Sequence, residues 1–460
     1  FVPLLHLIAH FPVVMFERDA KVSKQELSPT LGKFLGEIET PAVVLSSFLG
    51  NPLFTTPDAL NEEKDQYLCQ LDVVDLVFKD FKDMELTKLY KSFSTVNHIL
   101  SARISGKKYD SNCDASGMSV DTHNGRKPLT VQKYVERVII DKPKVVIALA
   151  DEINQTLGKK RLKKAIERTA TWFQNYVTSS AALGVNVRDF NAENSPFLFG
   201  VAQYDHSYTL QMPLFIKNML TQGARGIVIG NAHLGESDAQ RTDAIKAIKE
   251  LLPAEVPTLI QGADSLDNIL LALSFGIDLI SSDYPHALST KGHALALSPA
   301  ILCLNHDAVS TQNTLDKRTF SDTNNDTSES SSAQASNKRQ RIDVNTTNSG
   351  NRKEETVDTE RVNLRQGQSS HGGTPPAVRC EINLWDVMYC KDTRPLVEGC
   401  SCHACRHHTR AYIHHLHICK EMLAEVLLHH HNVHQLLQLL KAARQQVHIG
   451  TFDKWLQHIR

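Results

Sequence analysis

The chain has 460 residues, 41% of them hydrophobic and 22% charged, with a formal net charge of -1 at pH 7. That length supports two or three domains, or one large α/β barrel with an appendage, and the near-neutral balance excludes a globally basic nucleic-acid binder. Nine cysteines, an odd number scattered along the chain, suit a reducing compartment better than a disulfide framework.

Phe1 to Phe16 is apolar, but it lacks a basic flank and is interrupted by His6 and His10. It is too short for a membrane span, so no transmembrane segment is expected. The first residue is not Met, which suggests a trimmed or incomplete start. The N-terminal third is irregular, and is expected to supply the first strands of a sheet with some antiparallel decoration. From about Lys142, short apolar runs alternate with amphipathic helical stretches. The runs are Val145–Leu149, Phe197–Val201, Gly226–Ile229, Pro257–Ile260 and Ile277–Ile280. The helical patterns are Arg161–Val177, Leu214–Leu220, Ala239–Leu252 and Leu266–Phe275. Buried strands separated by helices imply βαβ units and a parallel sheet. A repeat of roughly 30 residues favours a (β/α)8 TIM-type barrel over an open sheet.

The pattern stops near His306. Ser321–Arg341 contains no aromatic residue and no Leu, Ile, Val or Met. Such a stretch cannot bury enough apolar surface to offset chain ordering, so 306–376 is expected to be a disordered polar insertion. The remaining boundaries follow: 1–39 as an N-terminal segment, 40–305 as the barrel, and 377–460 as a helical subdomain completing it. In that last part, Thr409–Leu428 keeps helical spacing, and a second helix carries Val433, Leu436, Leu437 and Leu440 on one stripe.

The helical end also holds the densest chemistry. Cys400-Ser-Cys402-His-Ala-Cys405 is followed by His429, His430 and His431. Three thiolates and one imidazole make a tetrahedral Cys3His zinc site with no open position, hence one structural Zn2+. Spacing alone does not choose among the three histidines. From Cys400 to Arg460, seven Lys or Arg face three acids, and twelve of the 22 histidines lie there. That end can face phosphate, although a solvated helical face explains the same residues.

The zinc motif, followed by Thr409-Arg-Ala-Tyr-Ile-His-His-Leu416 and His431-Asn432, resembles the tRNA-guanine transglycosylase family. The resemblance covers roughly Thr40–His306 and, more closely, Cys380–Leu440. It implies a (β/α)8 barrel with a zinc-bearing helical C-terminal subdomain, and zinc ligands at Cys400, Cys402, Cys405 and His431. It also implies a base pocket: an acid at Asp151, a purine-contacting amide at Gln203, and a loop at Gly230, Asn231 and Leu234 whose backbone binds the base. Asn231 stands where catalytic members carry a second Gly.

Other positions depart from the family pattern. Catalytic members place a nucleophilic carboxylate in a Gly-Val-Asp-Met-Phe-Asp run before a Pro-Thr-Arg turn. Here the run is Gly276-Ile-Asp-Leu-Ile-Ser281-Ser-Asp283-Tyr-Pro285, so Ser281 occupies the nucleophile position and Ala287 that of the Arg. The Asp-Ser-Gly-Gly-Phe-Gln segment that carries the general acid/base is absent from residues 1–130. Asp283 lies on the same strand face as Ser281 but about 6.5 Å further along, out of line for attack at about 3–3.5 Å.

An intact zinc motif beside a dismantled catalytic motif resembles the eukaryotic non-catalytic subunit of the family. That implies a heterodimer with a catalytic subunit. The pair would exchange guanine for queuine at the wobble position of tRNAs with GUN anticodons (Asp, Asn, His, Tyr). Partners are then the catalytic subunit and tRNA, with queuine as a further candidate ligand. The implied location is the cytoplasm, with peripheral association at the mitochondrial outer membrane. Two other readings compete: an active glycosyltransferase using a displaced carboxylate, Asp283 or Asp278, and a zinc-dependent adaptor that never meets tRNA.

Overall fold

The computed structural model describes residues 16–18, 31–48, 51–52, 54, 67–78, 97–103, 113–122, 124–153, 158–189, 195–204, 211–302 and 380–460. The expected polar insertion at 306–376 lies outside these residues. The described residues all belong to one compact unit.

Eight strands run parallel: β1 (Ala42–Phe48), β2 (Tyr67–Asp72), β3 (His98–Ser101), β4 (Val145–Ile147), β5 (Phe197–Gln203), β6 (Gly226–Gly230), β7 (Thr258–Gln261) and β8 (Leu279–Ser282). Each pairs with the next, and β8 pairs back onto β1 from Leu279↔Ala42 to Ser282↔Leu45. The ring is closed, and the chain forms the (β/α)8 barrel expected from its sequence. The last strand is shifted from the apolar run at Ile277–Ile280 and takes in Ser281 and Ser282. Backbone pairing to β1 carries the strand past its apolar stretch to the C-terminal mouth, where sites in this fold are built.

Alternation of side chains sorts the strand residues. Val44, Leu68, Ile99, Val145, Phe197, Phe199, Val201, Val228, Leu259 and Leu279 pack together inside the barrel. Phe34 and Ile38, from the antiparallel segments Gly32–Phe34 and Ile38–Thr40, join this group and are fully buried. They close the barrel floor, and burying each such side chain stabilises by roughly 1.5–3 kcal/mol. The intervening residues, among them Val43, Cys69, Leu100, Val146, Ile229 and Ile280, pack in a second cluster with residues of the helices.

Helices α1 (Val73–Phe78), α2 (Val131–Asp141), α3 (Lys159–Ala182), α4 (Met212–Thr221), α5 (Asp238–Lys249) and α6 (Leu266–Ser274) follow successive strands. Local chemistry starts several of them. Thr130 caps α2 through Lys133 N–H, and Ser237 with Gln240 makes a capping box on α5. In contrast, α3 has no side-chain cap, and Lys159, Lys160 and Arg161 open it with no acid in the first turn. Each cation there opposes the helix dipole by about 0.3–1 kcal/mol.

After α7 (Tyr284–Thr290), strand His293–Leu295 pairs antiparallel with Glu381–Asn383. A short helix α8 (Pro299–Leu302) follows, then α9 (His403–His407), α10 (Arg410–Ile418), α11 (Leu423–His448) and α12 (Phe452–Ile459). The single helix expected over Thr409–Leu428 is therefore two. Lys420 adopts a left-handed φ of 56°. Its N–H bonds His417 O, and that of Glu421 bonds Leu416 O. This is a Schellman stop, and apolar periodicity does not register it because the same face continues on the next helix.

Helix α11 joins the two ends of the barrel. Asn432 Oδ1 accepts from Leu295 N at 2.8 Å, and its amide donates to Ser289 Oγ and His293 O, both at 3.0 Å. Gln435 Oε1 accepts from Leu297 N at 3.1 Å. Two turns on, Arg444 donates to Pro41 O at 2.9 Å, just before β1. Asn432→Ala leaves the buried Leu295 N–H without an acceptor, and a loss of about 1–3 kcal/mol is expected. Urea unfolding checks this as a lowered midpoint at unchanged slope.

Candidate functional site

Two clusters are built on this frame. The first lies where α9 meets α11. Cys402 is the residue before α9, Cys405 lies within it, and Cys400 precedes both, just after Gly399. His431 Nδ1 is 3.8 Å from Cys400 Sγ, 3.3 Å from Cys402 Sγ and 3.4 Å from Cys405 Sγ. The four ligand atoms all lie within 4.8 Å of one another. Bond lengths of about 2.3 Å to sulfur and 2.0–2.1 Å to nitrogen place tetrahedral S and N ligands about 3.5 Å apart, which matches. The donor set therefore fits a metal ion, with no side chain left over for an open position.

The chain also orients its imidazole. His431 is fully buried, and its Nε2 lies 2.9 Å from Leu295 O. Only a protonated Nε2 can bond to a carbonyl, so the lone pair sits on Nδ1, facing the three sulfurs. His429 and His430 are elsewhere. His429 packs against the rings of His286 and Phe54, and burial pushes it down to about 3. His430 is near the ring of His403. Helical geometry thus makes the choice among three adjacent histidines that spacing left open.

The second cluster is the barrel mouth. Above the apolar interior lies a polar layer of Gln70, Ser101, Gln203, Gln261 and Ser281, all buried. Ser281 Oγ donates to Gln70 Oε1 at 2.8 Å. The Gln70 amide donates to Arg103 O, and Gln261 Nε2 reaches Ser101 Oγ at 3.2 Å. At the centre the Arg103 guanidinium meets Glu152 Oε1 at 2.6 Å, with both side chains under a tenth exposed. Glu152 also accepts from Asn231 N at 2.8 Å. The cavity left among Ser101, Ala102, Arg103, Met118, Ile147 and Glu152 is about 10 Å³. That is room for about one water molecule.

A family model described as queuine tRNA-ribosyltransferase matches residues 30–460. The chain belongs to this family. It is similar to curated proteins named queuine tRNA-ribosyltransferase accessory subunit 2. The Xenopus tropicalis protein is 25% identical over 338 residues, 73% of this chain and 70% of that protein. The Danio rerio protein is 26% identical over 333 residues, 72% and 68% of the two chains. The Aedes aegypti protein is 24% identical over 346 residues, 74% and 64%. The aligned part thus spans about two thirds of these relatives' length.

Against the queuine tRNA-ribosyltransferase pattern, the pocket residues named from sequence are all near the mouth but turned to internal work. Asp151 points outward to α3, where Arg161 binds it with two contacts of 2.7 Å and Arg168 with one of 3.0 Å. Glu152, its neighbour, is the acid that enters the mouth. The reason is a slip in alternation after Ile147: Ala150 packs with the interior group and Glu152 lines the cavity. Gln203 Nε2 donates to Asp151 O at 3.0 Å and Thr169 Oγ1 at 3.1 Å. A Cβ on Gly230 would meet Val201 Cγ1 at 2.7 Å, so this glycine is needed for β5–β6 packing. Asn231 takes the left-handed φ of 59° expected of a glycine there, and its Oδ1 accepts from Ile153 N at 2.9 Å. The loop's other donors, His233 N and Leu234 N, bond Glu236 at 2.6 and 2.7 Å. Sequence reading missed Arg103, Glu152 and Glu236. The charged pair Asp151-Glu152 at a strand end and the acid two residues after Leu234 were the available signals.

The two displaced carboxylates also separate. Asp278 sits at the start of β8, on the floor side, bonded to Arg18 at 3.1 Å and to Thr258 N at 2.8 Å. It is at the opposite end of the strand from Ser281. Asp283 is at the mouth rim, and its N–H donates to Asp264 Oδ1 at 2.7 Å. Burial, together with the neighbouring Asp264 carboxylate, pushes Asp283 up to about 7, and burial raises Asp264 as well. The folded state thus holds this proton more tightly than the unfolded chain, whose Asp titrates near 3.9. The linked contribution to stability declines as pH rises from about 4 to 7. Asp283→Asn should leave stability unchanged near pH 4 and raise it at pH 8, by no more than about 4 kcal/mol. Denaturation curves at the two pH values check the sign.

Proposed function

We propose that this chain is the non-catalytic subunit of a heterodimeric queuine tRNA-ribosyltransferase. The partner subunit supplies the nucleophile and holds the base. The complex exchanges guanine for queuine at the wobble position of tRNAs with GUN anticodons. One observation carries this reading. Ser281 stands at the nucleophile position with its hydroxyl bonded into Gln70, whose amide in turn donates to the backbone carbonyl of Arg103. A glycosidic exchange needs a free carboxylate in line with the ribose carbon and a second group to move a proton. A serine whose hydroxyl donates into the Gln70 amide supplies no such carboxylate. The relatives' names, which speak of an accessory subunit, support the same reading.

The test mixes this chain with a catalytic family member and measures queuine incorporation into tRNA for each alone and for both. Activity is expected from the mixture and none from this chain. Full activity from this chain alone would overturn the proposal and turn attention to Asp283 at the rim, the one displaced carboxylate that faces the mouth.

The metal in this proposal is zinc, bound by Cys400, Cys402, Cys405 and His431, with a structural role. What zinc supplies is a four-way crosslink. The chain's own part is to present three thiolates from α9 and its preceding loop and a tautomer-locked imidazole from α11. Cys402→Ser should release the metal and loosen the packing of α9 on α11, since structural zinc binding contributes directly to folding free energy. Metal analysis of purified wild type and variant, with thermal melts, checks this. A variant that melts with wild type while lacking metal would refute the structural role. The proposed location, cytoplasm with peripheral association at the mitochondrial outer membrane, rests on the family resemblance. No helix among the described residues is long and apolar enough to cross a membrane.

A further inference from the structure

The least expected surface feature is the start of α3. Lys159, Lys160, Lys163 and Lys164 are all exposed. At 100° per residue they share an arc of roughly 140° on the helix. The buried Leu162, Ala165, Ile166 and Thr169 occupy the opposite side. Among the described residues, the ion-pair partner of this group is the exposed Glu167, 3.9 Å from Lys163. The helix dipole favours anions at this end, not four ammonium groups. The chain nevertheless places no acid in the first turn.

The position of these lysines is set by buried chemistry. Asp151, at the end of the segment leaving β4, takes two contacts from Arg161 and one from Arg168. Asp151 O in turn accepts from Gln203 Nε2, at the end of β5, at 3.0 Å. The two arginines are thereby drawn inward, and the first turns of α3 are fixed to the mouth rim. The lysines project from that anchored turn. Both the helix N–H groups and the ammonium groups attract anions, and the arrangement offers no base-reading geometry.

We propose that Lys159, Lys160, Lys163 and Lys164 form a phosphate-binding surface that takes the sugar–phosphate backbone of an RNA laid across the barrel mouth. This rests on the reading of the chain as a subunit of a tRNA-modifying complex, and it names the side of the barrel on which the RNA lies. Phosphate contacts of this kind position a nucleic acid without reading its sequence. They make affinity salt-dependent, by about 0.7–0.9 in log–log slope per phosphate. The partner subunit can then do chemistry on a base while this chain grips the backbone.

The experiment uses the full chain and an unmodified tRNA transcript with a GUN anticodon, with dissociation constants measured between 50 and 200 mM KCl. The quadruple variant Lys159→Gln, Lys160→Gln, Lys163→Gln, Lys164→Gln is compared with wild type. A control removes four exposed lysines elsewhere, at Lys33, Lys142, Lys217 and Lys246. The α3 variant is expected to bind at least about tenfold more weakly, with its salt slope reduced by about two. The control should stay within about twofold of wild type. Matching melts and metal contents show that the variants fold. If the quadruple variant does not fold, Lys160→Gln with Lys164→Gln alone is expected to reduce the slope by about one. An α3 variant that folds and keeps wild-type affinity and slope overturns the proposal. So does one that loses binding to phosphatidylserine vesicles while keeping tRNA, since the surface would then serve a membrane. Wild-type chain that binds no tRNA, alone or with a catalytic subunit, sinks the functional reading itself, before any variant is compared.

Discussion

The grip of His431 and Asn432 on the backbone of Leu295 is the contact on which most of this structure depends. One residue's carbonyl accepts from the imidazole and its N–H donates to the amide, so two neighbouring side chains of α11 hold both backbone polar groups of one residue. The consequence runs in two directions. Toward the metal cluster, the carbonyl fixes which imidazole nitrogen faces the thiols. Toward the barrel, the amide ties α11 to the strand after α7 and to Ser289 within it. A helix that carries a metal ligand is thereby also the wall of the barrel beside β8 and β1. Both functions are met by adjacent residues, so neither can shift without disturbing the other.

The mouth shows what a barrel does when its site is not kept open. A buried arginine costs several kcal/mol to desolvate unless it is paired and hydrogen-bonded. Here Glu152 pairs Arg103, Glu152 also takes a loop N–H, and Glu236 takes two more with Arg241 behind it. Donors that resemble a base-binding loop in sequence are satisfied by carboxylates of the chain itself. Among the described residues, the result is a polar layer on top of the apolar interior in which these donors are already satisfied.

Much of this was legible in the residues, for identifiable reasons. Buried parallel strands read as apolar runs, so β5, β6 and β7 could be placed within a residue or two. Three cysteines at tight spacing narrow the metal ligands because few other arrangements need soft donors so close. The failures are equally physical. The first three barrel strands lie in a stretch with no helical period to frame them, and β3 is only four residues long. A one-residue slip after Ile147 exchanged the roles of Asp151 and Glu152, and a period-two argument has no means of detecting such a slip. Arg103 follows a short strand and pairs with an acid 49 positions away, a partnership that only the pairing of β3 with β4 creates. The stop at Lys420 carries neither glycine nor proline, so the usual punctuation was missing.

Arg444 and Pro41 are 403 positions apart in the chain yet share a hydrogen bond. The flank of the first barrel strand is therefore covered by a helix made about 400 residues later. During synthesis that flank stays exposed until α11 has left the ribosome. Long-range closure of this kind is slow, and the half-built sheet is prone to association in the interval. Production of this chain should therefore be more sensitive to chaperone supply and to loss of α11 than the depth of its core would suggest.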